Sequence, residues 1–180
     1  MSKINKFETN AIHVGNEPDP STGSISPPIH LTSTYVQDGI GKNKGFDYSR
    51  GNNPTRERLE KNIAALEGGY DAIAFSSGMA ATTALLQDLN QGDHIIISRN
   101  VYGGTYRMTT QVLSNHGLKF DFVDTTDTQK IKEAIRLETK WVFIETPTNP
   151  MLEVTDIAAV SKICRDGNIK FAVDNTFMSP

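Results

Sequence analysis

Four short stretches hold the residue types with the most chemistry to offer. Ser76-Ser77-Gly78-Met79-Ala80-Ala81 is a turn of small residues opening a helical pattern, whose free N–H groups and dipole suit a phosphate. Ser98-Arg99-Asn100-Val101-Tyr102-Gly103-Gly104-Thr105-Tyr106-Arg107 offers an aromatic plane, two glycines that permit close approach, and a cation for a carboxylate. Glu145-Thr146-Pro147-Thr148-Asn149-Pro150 sets an Asn amide in a Pro-stiffened loop, where it could bond a phenolic oxygen. Asp174-Asn175-Thr176 puts a carboxylate at the end of an apolar run, where it needs a partner or its pKa rises. A protonated ring nitrogen would be such a partner. Each of the first three stretches alone is also compatible with ordinary architecture: a tight turn, a glycine pair at a helix start, an Asx turn.

The elements that must position these residues alternate. Apolar runs at Ala72–Phe75, His94–Ile97, Lys119–Val123, Trp141–Ile144 and Lys170–Val173 predict strands. Helical patterns at Met79–Leu89, Tyr106–His116, Thr128–Leu137 and Asp156–Arg165 lie between them. This predicts a mainly parallel α/β sheet with helices on both faces. Ligands collect at the carboxyl ends of strands in such sheets, and all four stretches sit there. Together they describe a pocket for pyridoxal 5'-phosphate (PLP), with a phosphate cup, a stacking ring, an amide and a carboxylate. Upstream, Asn53 and Pro54 suit a helix start, and Leu59, Ile63 and Leu66 recur at helical spacing before Gly68-Gly69, predicting about three turns. Residues 1–53, rich in Pro and Gly and weak in periodicity, read as an extended N-terminal arm that needs another surface. Residues 54–180 read as part of a PLP-binding large domain.

Composition narrows the alternatives. The 180 residues carry a net charge of −3 with signs interspersed, which speaks against nucleic acid as a partner. No apolar targeting region follows Met1–Lys6 and no run of apolar residues is long enough to span a bilayer, so no membrane and a cytoplasmic setting are expected. The single cysteine, Cys164, excludes an intrachain disulfide and reads as a buried thiol. His13, His30, His94 and His116 are scattered, so no metal site is expected. Neither G-x-G-x-x-G nor a P-loop sequence occurs.

The most specific element is Tyr48-Ser49-Arg50-Gly51-Asn52-Asn53-Pro54-Thr55-Arg56, followed in order by the four stretches above. The chain thereby resembles, over nearly its whole length, the Cys/Met-metabolism family of PLP enzymes, the group of cystathionine γ-synthase and γ-lyase. The resemblance implies fold type I of the PLP-dependent transferases and a homo-oligomer of tetrameric, dimer-built kind. It also implies that Tyr48 and Arg50 reach a neighbouring subunit's cofactor phosphate while Gly78 and Met79 hold the same phosphate from within. Tyr102 would stack on the ring and take part in proton transfer, Asn149 would bond the ring oxygen, Asp174 would keep the ring nitrogen protonated, and Thr176 would join the cofactor contacts. Arg50, Tyr102 and Arg107 would meet an amino-acid substrate. The implied activity is γ-elimination or γ-replacement on sulfur amino acids or activated homoserine.

The family's Schiff-base lysine lies in a Ser-x-Thr-Lys segment on the strand after the Asp-bearing one, and no residue of this chain matches it. Thr139-Lys140-Trp141 has Leu137 in place of the serine and comes too early in the strand order. The chain is therefore expected to be an N-terminal portion, ending before the C-terminal domain and inactive by itself. Gly103-Gly104-Thr105 after Tyr102 departs from the cysteine typical of methionine γ-lyases, which makes γ-synthase or γ-lyase the better match. Methionine γ-lyase, cystathionine β-lyase and a non-catalytic piece that only partners full-length subunits remain alternatives. An unrelated α/β binding module would require the ordered stretches to be coincidence.

Overall fold

The computed structural model describes residues 6–178 and Pro180; the Met1–Asn5 part of the stretch read for targeting lies outside them. They form two compact units, which meet in sequence between Ser76 and Ser77.

In the N-terminal unit, helix α1 (Phe7–His13) is followed by a long irregular segment and helix α2 (Pro54–Leu66). α2 starts where the sequence predicts: the Asn53 side chain accepts from the Thr55 N–H and Pro54 takes the first helical position. The amide of the same Asn53 donates to His30 O, Tyr35 OH and Ser49 Oγ at 3.0–3.3 Å. One residue thus caps the helix and gathers the arm. The arm is not extended throughout, as α1 shows. Its last turn is held from α2: Asn62 Nδ2 donates to Asn10 O, Ala11 O and Val14 O, and Arg58 donates to Gly15 O and Glu17 O. Orphan carbonyls at a helix end need such donors. Gly15, at φ +75°, is the exit from this turn, and a Cβ there would lie 2.3 Å from Arg58 O.

The strand expected at Ala72–Phe75 does not form. These residues have no ladder partner among the described residues, and the Ala74 N–H donates instead to the Glu60 carboxylate at 2.8 Å.

The second unit is the predicted α/β layer structure. After helix α3 (Gly78–Leu86) come strand β1 (His94–Ser98), helix α4 (Gly103–Arg107), strand β2 (Lys119–Val123), helix α5 (Thr128–Ala134), strand β3 (Thr139–Glu145), helix α6 (Ile157–Asp166) and strand β4 (Lys170–Asp174). All pairs are parallel, in the order β2-β1-β3-β4. Alternate residues of β1 face opposite sides. Ile96 packs with Val142, Ile144, Ile131 of α5, and Val160 and Cys164 of α6. Ile95 and Ile97 pack with Trp141, Phe143 and, from the α3 side, Leu85 and Leu89. Helices therefore cover both faces. Trp141 also donates its indole N–H to Asp88 at 3.0 Å, and Lys170 pairs with Asp88 while lying 5.4 Å from the indole ring centroid.

The helix expected over Tyr106–His116 is broken into three parts: α4 begins earlier, at Gly103, a π-helical turn spans Met108–Val112, and a 3₁₀ turn spans Leu113–His116. Hydroxyls compete for its carbonyls: Thr109 donates to Thr105 O and Tyr106 O, Thr110 to Tyr106 O, and Ser114 to Thr110 O. Such back-bonding loosens helical turns. Among the described residues no helix is long and apolar enough to cross a membrane.

Candidate active site

Parallel pairing brings the carboxyl ends of β1, β3 and β4 to one side of the sheet, and a cavity of about 330 Å³ opens there. Gly78, Met79, Tyr102, Asn149, Asp174 and Thr176 all line it.

The α3 wall is a helix start. The Ser77 side chain accepts from the Ala80 N–H at 3.1 Å, which leaves the N–H groups of Gly78 and Met79 without partners inside the helix. A Cβ added to Gly78 would meet nothing within 4 Å, so the space in front of this turn is open to a ligand.

Tyr102 sits immediately before α4, its ring folded back over Gly104. A Cβ at Gly104 would lie 2.5 Å from Tyr102 Cε1 and 2.8 Å from Met79 Sδ. Only glycine permits this approach. The loop before Tyr102 is tied to the segment after β3. Arg99 and Asn100 donate to the two oxygens of Glu153 at 2.7 and 2.9 Å, and these bonds hold the Glu153 carboxyl below the usual carboxylate range.

Asn149 follows β3, between cis prolyl bonds at Pro147 and Pro150. Asp174, half-buried, ends β4 in register with Glu145. Thr176 donates through its hydroxyl and its N–H to Asp174 Oδ1, at 2.5 and 3.2 Å. Asp174 Oδ1 is thereby fixed by its own turn.

Sequence reading gave no individual role to Ser77, Thr82, Thr105, Glu145 and Phe177, which also line the cavity. Glu145 matters most electrostatically. Burial pushes its carboxyl above the usual range, N–H donors from Asn149 and Tyr102 pull it back, and the Asp174 charge adds to the rise. The stretch Glu145-Thr146-Pro147 was visible in sequence, but the donors that meet this side chain are set by tertiary structure.

Arg107 is exposed on α4 and does not line the cavity. Tyr48 and Arg50 belong to the N-terminal unit, where the Arg50 guanidinium stands 5.1 Å from the Tyr48 ring centroid. Lys140 lies at the opposite, amino end of β3, exposed at the irregularity in the β1–β3 register.

The residues fit PLP on structural grounds: an open helix start for a phosphate, an aromatic ring beside it, an amide, and an oriented carboxylate for a ring cation.

Comparison with known proteins gives the same picture. The model of the Cys/Met metabolism PLP-dependent enzyme family matches residues 8–180. A Herpetosiphon aurantiacus protein named "Probable cystathionine gamma-synthase" is 47% identical over 174 residues, covering 97% of this chain and 54% of that protein. A cystathionine beta-lyase of Coxiella burnetii is 43% identical over 180 residues, covering 99% of this chain and 46% of that protein. Among solved structures, cystathionine gamma-lyase from Lactobacillus plantarum, complexed with L-serine, superposes with a TM-score of 0.93 at 45% identity, covering 98% of this chain and 46% of that one. The chain spans about half the length of the curated relatives it matches.

Proposed function

The chain belongs to the Cys/Met metabolism PLP-dependent enzyme family, and from that premise we propose that its protein is a cytoplasmic transsulfuration enzyme. It acts on sulfur amino acids or activated homoserine by γ-elimination or γ-replacement. The observation that carries this reading is the convergence of Gly78, Met79, Tyr102, Asn149, Asp174 and Thr176, from separate segments, on one cavity.

When bound, PLP would supply an electron sink for negative charge developing at the substrate Cα. The chain's own residues do the rest. The Gly78 and Met79 N–H groups bind the phosphate at the α3 dipole. Tyr102 packs against one face of the ring, and its phenol stands where a proton can move. The Asn149 amide donates to the ring oxygen. Asp174, oriented by Thr176, holds a proton at the ring nitrogen. Arg50 engages the substrate, the Tyr48–Arg50 pair reaching a neighbouring subunit's phosphate from the arm of residues 1–53 in a homotetramer, while Arg107, exposed on α4 outside the cavity wall, meets the substrate only at the rim. The 180-residue chain alone does not turn over substrate, since none of its lysines matches the family's Schiff-base position.

Absorbance titration with PLP, of the protein expressed from its native reading frame and of the 180-residue chain, tests this. A Schiff-base band in the longer protein, mapped by borohydride reduction and peptide analysis to a lysine beyond Pro180, is the expected result. Absence of any band from both proteins would refute the assignment. Amino-acid products formed from cystathionine and from an O-acylated homoserine with cysteine then separate lyase from synthase activity.

A further inference from the structure

One buried carboxylate in the cavity wall is used by none of the contacts proposed above. Glu145, the last residue of β3, is 5% exposed, and each of its oxygens meets a main-chain N–H of a different loop. Oε2 accepts from Tyr102 N–H at 2.5 Å and Oε1 from Asn149 N–H at 3.0 Å. Charge-assisted bonds of this kind are among the strong ones. The two residues joined are the one assigned to the ring face and the one assigned to the ring oxygen.

The strut is itself anchored. Glu145 N–H donates to the buried Ser98 hydroxyl at 3.0 Å, and Ser98 continues through Thr125 at 3.0 Å to Thr155 at 2.8 Å. On the other side, Thr146 N–H donates to the Asp174 carbonyl at 3.0 Å. Glu145 therefore stands where the loops after β1, β3 and β4 meet. Two N–H donors on two separate oxygens require a group that accepts at both ends. A glutamine in the same pose would satisfy one and oppose its NH₂ to the other.

We infer that Glu145 is the positioning residue of this site: it fixes Tyr102 relative to Asn149 and so sets the slot in which the ring lies. This rests on the reading of the cavity as a PLP site. With both oxygens engaged by the main chain, Glu145 acts through its neighbours.

The test uses the protein expressed from its native reading frame, stripped of cofactor and titrated with PLP, as wild type and Glu145→Gln. Expected for the variant are PLP binding weaker by on the order of tenfold, a reduced visible circular-dichroism band of bound cofactor, and a far-ultraviolet circular-dichroism spectrum of the cofactor-free protein that matches wild type. A second measurement needs no variant: in the unmodified protein the Tyr102 and Asn149 amides, though in loops, should exchange hydrogen as slowly as strand amides. Rapid exchange at both, or a variant with wild-type affinity and dichroism, overturns the positioning role alone. Failure of the wild type to bind PLP overturns the reading of the cavity and this inference with it. Where the variant does not fold, amide exchange decides.

Discussion

Gly104 has room for a hydrogen and little else, because the Tyr102 ring and Met79 Sδ close over it. Gly104→Ala is expected to push the ring out of its seat and weaken PLP binding by on the order of tenfold, read by titration. His94 makes a different case. It is fully buried at the amino end of β1, its Nδ1 2.8 Å from Thr139 Oγ1, while Nε2 has no hydrogen-bond partner among the described residues and stands 3.4 Å from Asp121. Burial, and then the Arg136 charge, lower its pKa against the opposing pull of Asp121 and Glu138. A depressed folded-state pKa contributes stability that is present above the ordinary histidine value of about 6.5. That contribution is lost as pH falls toward the folded-state value. Urea midpoints should therefore drop on acidification from pH 7 to 5.5, and His94→Gln should flatten that dependence.

At the scale of elements, the sequence was most legible where a segment carries its own instructions. The run Ile95-Ile96-Ile97 is apolar on both faces because helices cover both faces of β1, and Asn53-Pro54 marks the start of α2 with a side chain that caps locally. Asn53→Ala should cost roughly 1–2 kcal/mol through the lost cap. Because the same amide holds His30, Tyr35 and Ser49, protease cleavage within the segment before α2 should also accelerate. What the sequence did not show depends on partners far along the chain. α1 ends on carbonyls held by Asn62, Ala72–Phe75 forms no strand for want of a ladder neighbour among the described residues, and the turns after α4 open because threonine and serine hydroxyls take their carbonyls. The candidate site divides the same way. Four stretches, three of them at strand ends, contain Gly78, Met79, Tyr102, Asn149, Asp174 and Thr176, which the family resemblance singled out, whereas Glu145 acquires its meaning only once Tyr102 N–H is brought to it.

Across the whole molecule, apolar surface is unevenly covered. In the N-terminal unit Ile25, Leu31, Val36 and Ile40 are each more than four-fifths exposed. Apolar side chains left in water keep the driving force to bury themselves elsewhere. The 180-residue chain by itself should therefore bind an apolar dye such as ANS and associate at micromolar concentration. The protein from the native reading frame should do both less, as fluorescence and size-exclusion chromatography would show. The sheet carries its own reporter for such work. Trp141 is the only tryptophan in the sequence, buried, with its indole N–H on Asp88 and Lys170 over its ring. In the 180-residue chain, light emitted on excitation selective for indole over phenol thus comes from one place, the seam between the segment after α3 and the starts of β3 and β4. A shift of that emission to longer wavelength registers water reaching the seam, separately from anything that happens at the cofactor end of the strands.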